Sequence, residues 1–402
     1  MSGLRAVWDG TASGAQRAGG MERTVRVREA GFPAPETIAP RQWLHGVDLV
    51  IGYVSVLVAP GGVGKTTLGM TMGLAVATGR PLLKARIWAT GNVLFCGLED
   101  PDEESDRRLA AIQKQFEIET ETLQSHVFKI TPDDQDLIIA EISPMDGITI
   151  AYPHRDALVE IVRQHGIKLV VVDPFVNCHQ LEENSNPHMN AVARAWRQVA
   201  REAECAILLV HHTRKGAEAG DAEGARGAKA VIDAARVAST LTPMSKEEAA
   251  EWGIGEAARR FHVRLDDAKR NMAPSEKARW FRLVGVPLGN GSAVYPNGDE
   301  VQAIMPWEPP STFGDATAKH LNELLDVIAE GVDGVPYAPD RRGKVNGRWV
   351  GQVLVDHLGM NVEQAANAIR MWIRNGVLVV GRAMGPDRKE VSAIQVVKRV
   401  SE

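Results

Sequence analysis

Few short segments narrow the choice of fold as sharply as Ala59-Pro60-Gly61-Gly62-Val63-Gly64-Lys65-Thr66, which follows a β-branched run and opens a helical stretch. This is the Walker A phosphate-loop pattern, with Ala59 where the first glycine usually stands. Glycines let backbone N–H groups wrap a polyphosphate, a lysine neutralises its β and γ oxygens, and a following hydroxyl ligates Mg²⁺. Pro60, Gly61, Gly62, Val63, Gly64, Lys65, Thr66 and Thr67 are therefore the expected nucleotide-binding residues, with ATP and Mg²⁺ as ligands. Partition ATPases share the Gly-Gly-Val-Gly-Lys-Thr-Thr run but carry an extra lysine before the paired glycines, where this chain has Pro60.

The surrounding pattern supplies the rest of an α/β core. Val54–Val58, Val93–Gly97, Leu169–Val172 and Ala206–Val210 read as strands, and the stretches after them as helices. Continuous apolar runs suit strands buried on both faces of a mostly parallel sheet flanked by helices. Two further strands, Phe261–Leu265 and Trp280–Val286, suit an antiparallel extension. The expected organisation is a flexible N-terminal arm over residues 1–40, an ATPase domain over 41–305, a proline-rich linker over 306–314 and a small domain over 315–402. That last domain reads as three helices closed by a hairpin, a winged-helix-like order.

Composition limits the alternatives. With 44% hydrophobic and 24% charged residues, the 402-residue chain has the make-up of an ordinary globular protein, and no apolar run reaches membrane-spanning length. A cytoplasmic location and no membrane partner are the expectations. Cys96, Cys178 and Cys205 form no CxxC pair, so they read as reduced core thiols. The net charge of −5 is uneven: Tyr337 to Glu402 holds 11 Lys and Arg against 6 Asp and Glu, a basic module on an acidic body.

Carboxylates at strand ends offer the chemistry. Asp173 closes the Leu169–Val172 strand as a Walker B acid would, placed to hold Mg²⁺. No acid follows it, so the candidate for activating water is Glu99, at the end of Val93–Gly97, with Asp100 turning toward Mg²⁺ or capping the next helix. His211 and His212 close a third strand. Neighbouring strand residues face opposite ways and no cysteine or carboxylate set accompanies them, which disfavours a zinc site and favours a γ-phosphate or DNA sensor.

Taken in order, Pro40-Arg41-Gln42-Trp43-Leu44-His45-Gly46, the phosphate loop, Ala77–Leu83, Leu98-Glu99-Asp100-Pro101, Val172-Asp173-Pro174, His211-His212-Thr213-Arg214-Lys215 and Ala225-Arg226-Gly227-Ala228 resemble RecA-fold ATPases of the plasmid RepA helicase type, relatives of the DnaB-like hexameric helicases. The resemblance spans about residues 41–286. It implies a homo-oligomeric ring, commonly a hexamer, with ATP between subunits and single-stranded DNA in the channel. It also implies that Lys65, Thr66, Glu99, Asp173 and His211 or His212 share one face of the ATP site, while Arg226 and the pair Lys269-Arg270 reach a neighbour's γ-phosphate. Arg214 and Lys215, in a Gly- and Ala-rich stretch from His212 to Lys229, are the expected DNA contacts of the motor. Arg388 and Lys389, at the hairpin tip, are those of the C-terminal module toward duplex DNA, with Gln364, Asn367, Arg370 and Arg374 on its third helix. Three functional readings stay open: a replicative-type helicase of a mobile element, a RecA-like ATPase without unwinding activity, and an ATP-switched DNA-binding regulator. The C-terminal module reads equally as a protein-docking domain.

Overall fold

The computed structural model describes residues 27–143, 145, 149–212, 228–310, 313–341, 347–384 and 390–400. The chain divides into two units, Met1–Pro40 and Arg41–Glu402. In the first, Pro35–Thr37 forms one 3-10 turn, held by Thr37 Oγ1 donating to Ala34 O at 2.8 Å.

The second unit is built on nine strands: β1 (Val54–Ala59), β2 (Asn92–Gly97), β3 (Val127–Ile130), β4 (Ile167–Asp173), β5 (Ala206–His212), β6 (Val237–Pro243), β7 (His262–Arg270), β8 (Arg279–Pro287) and β9 (Glu300–Trp307). Their order is β9-β8-β7-β6-β1-β5-β4-β2-β3. From β6 to β3 all neighbours run parallel, and β7, β8 and β9 continue the sheet antiparallel. This is the mixed α/β architecture that the apolar runs predict. Strand β3 and edge strand β9 are additions to it. Pro306 suggests a linker by its chemistry, but a proline is tolerated in an edge strand, where its missing N–H faces no partner.

Helices cover both faces. On one, α1 (Lys65–Thr78) and α2 (Asp102–Gln115) join the core formed by Leu57, Phe95, Val171, Leu208 and Val210. Helix α1 can lie close because it carries glycine at the contact: a Cβ on Gly73 would stand 2.4 Å from Phe95 Cζ. On the other face, α3 (Arg155–Gln164) and α4 (Asn186–Glu202) pack on Val56, Leu94, Val170, Ile207 and Leu209, with Trp196 fully buried. The three cysteines are free and buried in this layered core.

Helix α5 (Lys246–Trp252) follows β6, and at its C-terminal end the unit holds α6 (Ala318–Glu330), α7 (Gly351–Leu358), α8 (Val362–Arg374) and a hairpin of β10 (Leu378–Met384) and β11 (Glu390–Val396). Helices α6–α8 and the hairpin share their own core around Trp349, Trp372, Leu325 and Leu354. The N-terminus of α8 lies against the segment that follows α5. Gln364 completes a capping box with Asn361 and lies against Gly253, where an added Cβ would be 2.6 Å from its amide nitrogen. Glu363 pairs with Arg341, and Arg370 with Asn367. Gln364 and Asn367 are thus engaged within the chain, while Arg370 and Arg374 are exposed. Among the described residues no helix is long and apolar enough to cross a membrane.

The antiparallel extension is anchored by a buried knot of charge. Asp48 accepts a bidentate pair from Arg279 at 2.6 and 2.8 Å, a bond from Arg270 Nη2 at 2.8 Å, and lies 3.2 Å from His45 Nδ1. Burial alone would raise the Asp48 carboxyl, but the Arg279 charge and the bonds from His45 and Arg279 outweigh it and hold it well below the usual range. Removing one member of such a knot strands the others in a low-dielectric interior. Asp48→Asn is expected to cost about 3–5 kcal/mol in urea unfolding. A depressed carboxylate stabilises above its unfolded pKa, so the gap between wild type and variant should narrow as pH falls below about 4. A cost under ~1 kcal/mol at neutral pH would contradict a structural role for the knot.

Candidate active site

The C-terminal ends of four adjacent strands set this site. In the parallel ladders Ala59 lies opposite His212, and Gly97 opposite Asp173, so the ends of β1, β5, β4 and β2 meet along one edge. Loops leaving such an edge converge above it, where open α/β sheets bind their ligands. Here they enclose a cleft of about 620 Å³.

The phosphate loop turns through left-handed backbone at Gly62 (φ 79°) and Gly64 (φ 83°), and Gly64 caps α1. A side chain at Gly64 would be strained twice over, by its φ and by Leu283 Cδ2 only 2.7 Å from an ideal Cβ. Lys65 follows at the first turn and is 7% exposed. Burial lowers the pKa of its ammonium, while the charges of Asp173 and Glu99 oppose that shift. The Thr66 hydroxyl lies beside the Asp173 carboxylate. Burial raises the Asp173 pKa, with the Thr66 hydroxyl and the Lys65 charge acting the other way. Its Oδ2 is buried without a hydrogen-bond partner. An orphaned carboxylate oxygen beside a hydroxyl suits a hydrated divalent cation, and Thr66 and Asp173 thus fit Mg²⁺ brought by a nucleotide. Among the described residues no set of three or more His, Cys, Asp or Glu could hold a metal by itself.

Glu99 and Asp100 enter from β2. Leu98 N donates to Asp173 O at 2.7 Å, and Asn177 Nδ2 donates to Leu98 O at 2.7 Å, which fixes the turn carrying both acids. Glu99 is exposed in the cleft, whereas Asp100 is paired with Arg108 at 2.7 Å. The two histidines part company, as strand alternation requires. His212 lines the cleft. His211 is buried on the other side, edge-on to Phe175 at 5.4 Å, with its pKa pushed down to about 4 by burial and by His212 and His179. Only His212 can meet a phosphate here.

The paired basic residues depart from expectation. Arg270 is turned inward, its side chain 1% exposed, and bonds Asp48 and Asp267 at 2.8 and 2.5 Å. It cannot reach a neighbour's phosphate while a buried carboxylate holds it. Lys269 donates to the carbonyls of Ile232 and Asp233 at 3.2 and 2.8 Å. Arg214, Lys215, Arg226, Arg388 and Lys389 lie outside the described residues.

Four lining residues carry no signal in the local sequence: Arg107 and Arg108 on α2, and Asp299 and Gln302 at the start of β9. Arg107 spans the cleft to Asp299 at 3.2 Å. Gln302 Oε1 stands 3.5 Å from an ideal Cβ on Gly64, so the far edge of the sheet overhangs the phosphate loop. Only the curl of β8 and β9 onto α1 and α2 brings Asp299 and Gln302 there, and no local pattern reports that.

Residues 22–218 match the model of the AAA domain family. Among solved structures, the chain is similar to the RadB recombinase, with a TM-score of 0.37 and 15% identity over 58% of this chain and 88% of that one. It is also similar to a DnaB-like replicative helicase, with a TM-score of 0.39 and 12% identity over 58% of this chain and 55% of that one. The chain spans about half the length of that helicase. The family match, on the segment that carries the phosphate loop, Glu99 and Asp173, supports a P-loop ATPase. Gly64→Ala is expected to lower nucleotide affinity at least tenfold in calorimetric titration, because loop and overhanging Leu283 must both shift. Unchanged affinity would contradict the tight fit of β8 over the loop.

Proposed function

We propose that this protein is an ATP-hydrolysing motor that acts on DNA, most concretely a RepA-type replicative helicase working as a ring. The observation that carries the ATPase part is the convergence of Lys65, the Thr66–Asp173 pair, Glu99 and His212 on one cleft. The DNA part rests on the ordered motif set from Pro40 to Ala228, with the Gly- and Ala-rich His212–Lys229 stretch that carries Arg214, Lys215, Arg226 and Lys229, and the basic C-terminal module.

The chemistry follows from charge and position. ATP lays its phosphates along the loop's N–H groups, and Lys65 neutralises the β and γ oxygens. A bound Mg²⁺ supplies further neutralisation of the phosphates, held with Thr66 and Asp173. Glu99 accepts a proton from the attacking water as it approaches the γ-phosphorus in line with the leaving oxygen. His212 hydrogen-bonds the γ-phosphate and passes its loss to the stretch that follows, which grips single-stranded DNA through Arg214 and Lys215. With Arg270 committed to Asp48, the stabilising cation from a neighbour falls to Arg226. The C-terminal module adds duplex affinity through Arg388 and Lys389.

Two substitutions separate binding from chemistry. Lys65→Ala should abolish hydrolysis. Glu99→Gln should keep nucleotide binding near normal while lowering turnover by ~100-fold or more, the scale of losing a general base. Turnover close to wild type in Glu99→Gln would move the base to another carboxylate. For the motor, DNA should stimulate hydrolysis, and Arg214→Glu with Lys215→Glu should remove the stimulation and spare the basal rate. A strand-displacement assay without product alongside DNA-stimulated turnover would favour the non-unwinding ATPase.

A further inference from the structure

Helix α4 buries Met189, Val192, Trp196 and Val199 against the sheet and turns three arginines the other way. Arg194, Arg197 and Arg201 recur at i, i+3 and i+7, one face of a helix that rises about 1.5 Å per residue. Arg236, at the entry to β6, joins them: its charge and those of Arg194 and Arg201 bear on Arg197. Arg194, Arg201 and Arg236 are exposed, and Arg197 is half-buried. Burial first, and then these three like charges, lower the pKa of Arg197. Among the described residues, no carboxylate forms an ion pair with any of the four. Glu204 lines the same shallow hollow as Arg201 without pairing to it.

Like charges held this close are mutually unfavourable, and a cluster of guanidinium groups is the standard recognition surface for phosphate, which they bind bidentately. The alternative occupant, the acidic surface of a second copy, is less suited. Among the described residues, three of the four carboxylates of α2 are already engaged, Asp102 and Asp106 with Lys129 and Glu104 with Arg107 and Arg108, which leaves Glu103 alone on that helix. The arginine face also lies across the sheet from α1 and α2, so it is separate from the nucleotide cleft. We infer that Arg194, Arg197, Arg201 and Arg236 form a second nucleic-acid track that grips the phosphate backbone of DNA outside the His212–Lys229 stretch. The inference rests on the reading of this protein as a DNA-acting ATPase.

The test is the salt dependence of DNA binding by the full chain, measured by fluorescence anisotropy with a labelled single strand and a labelled duplex. In Arg194→Glu with Arg201→Glu, affinity at low salt should fall about tenfold or more. On the single strand, the slope of log K against log salt should flatten by about 1.4, at roughly 0.7 per phosphate contact. ATP turnover without DNA should stay at the wild-type rate, and Arg194→Lys with Arg201→Lys, which keeps the charge, should keep the slope. An unchanged slope in the glutamate pair, with wild type binding DNA normally, overturns the track and leaves the DNA reading standing. A glutamate pair that changes only its oligomeric state by light scattering likewise overturns the track and makes the face a protein contact. A slope lost equally in the lysine pair overturns charge as the cause. Wild type that hydrolyses ATP yet binds neither strand at low salt overturns both readings.

Discussion

Parallel strand register is the constraint on which the candidate site depends. Because Ala59 pairs with His212 and Gly97 with Asp173, the phosphate loop, the candidate base, the candidate Mg²⁺ ligand and the candidate sensor histidine leave the sheet at one level. A slip of one residue in β4 would turn the Asp173 side chain to the opposite face. The apolar run Leu169–Val172 buries β4 on both sides, and Lys168 and Asp173 at its ends oppose a slip that would carry either into the core.

The cost of the arrangement is electrostatic. Lys65 and Asp173 are buried with charges that burial disfavours, and each shifts toward its neutral form against the pull of the other. Such a pair is poised for a ligand carrying both phosphate oxygens and a divalent cation, which would satisfy the lysine and the orphaned Asp173 Oδ2 together. The sheet must be stiff to hold it. The Asp48 knot ties β7 and β8 to the segment before β1, and β8 in turn places Leu283 over Gly64. Stability far from the cleft and the shape of the loop are thereby linked.

Much of this is legible in the sequence because it is local. The strand–loop–helix context of Ala59–Thr66, the apolar run before Asp173 and the alternation that separates His211 from His212 all sit within a few residues. What is not legible depends on distance. Arg270 and Asp48 are 222 residues apart, so nothing near Lys269-Arg270 reveals that its guanidinium is consumed by a buried carboxylate. Strand β9 is hidden by Pro306, since edge position is a property of the sheet and not of the proline. Asp299 and Gln302 reach the cleft only through the curl of the antiparallel strands. On α8, Gln364 looks like a base reader until the neighbouring Gly253 is seen beside it.

The central claim is that Thr66 and Asp173 hold a divalent cation with the nucleotide that Lys65 binds. Calorimetric titration of a non-hydrolysable ATP analogue, with and without Mg²⁺, into wild type and Asp173→Asn measures it directly. Wild type should bind at least tenfold more tightly with Mg²⁺, and Asp173→Asn should lose most of that gain while keeping the Mg²⁺-free affinity. An equal Mg²⁺ effect in both proteins, or no binding by wild type, would contradict the account.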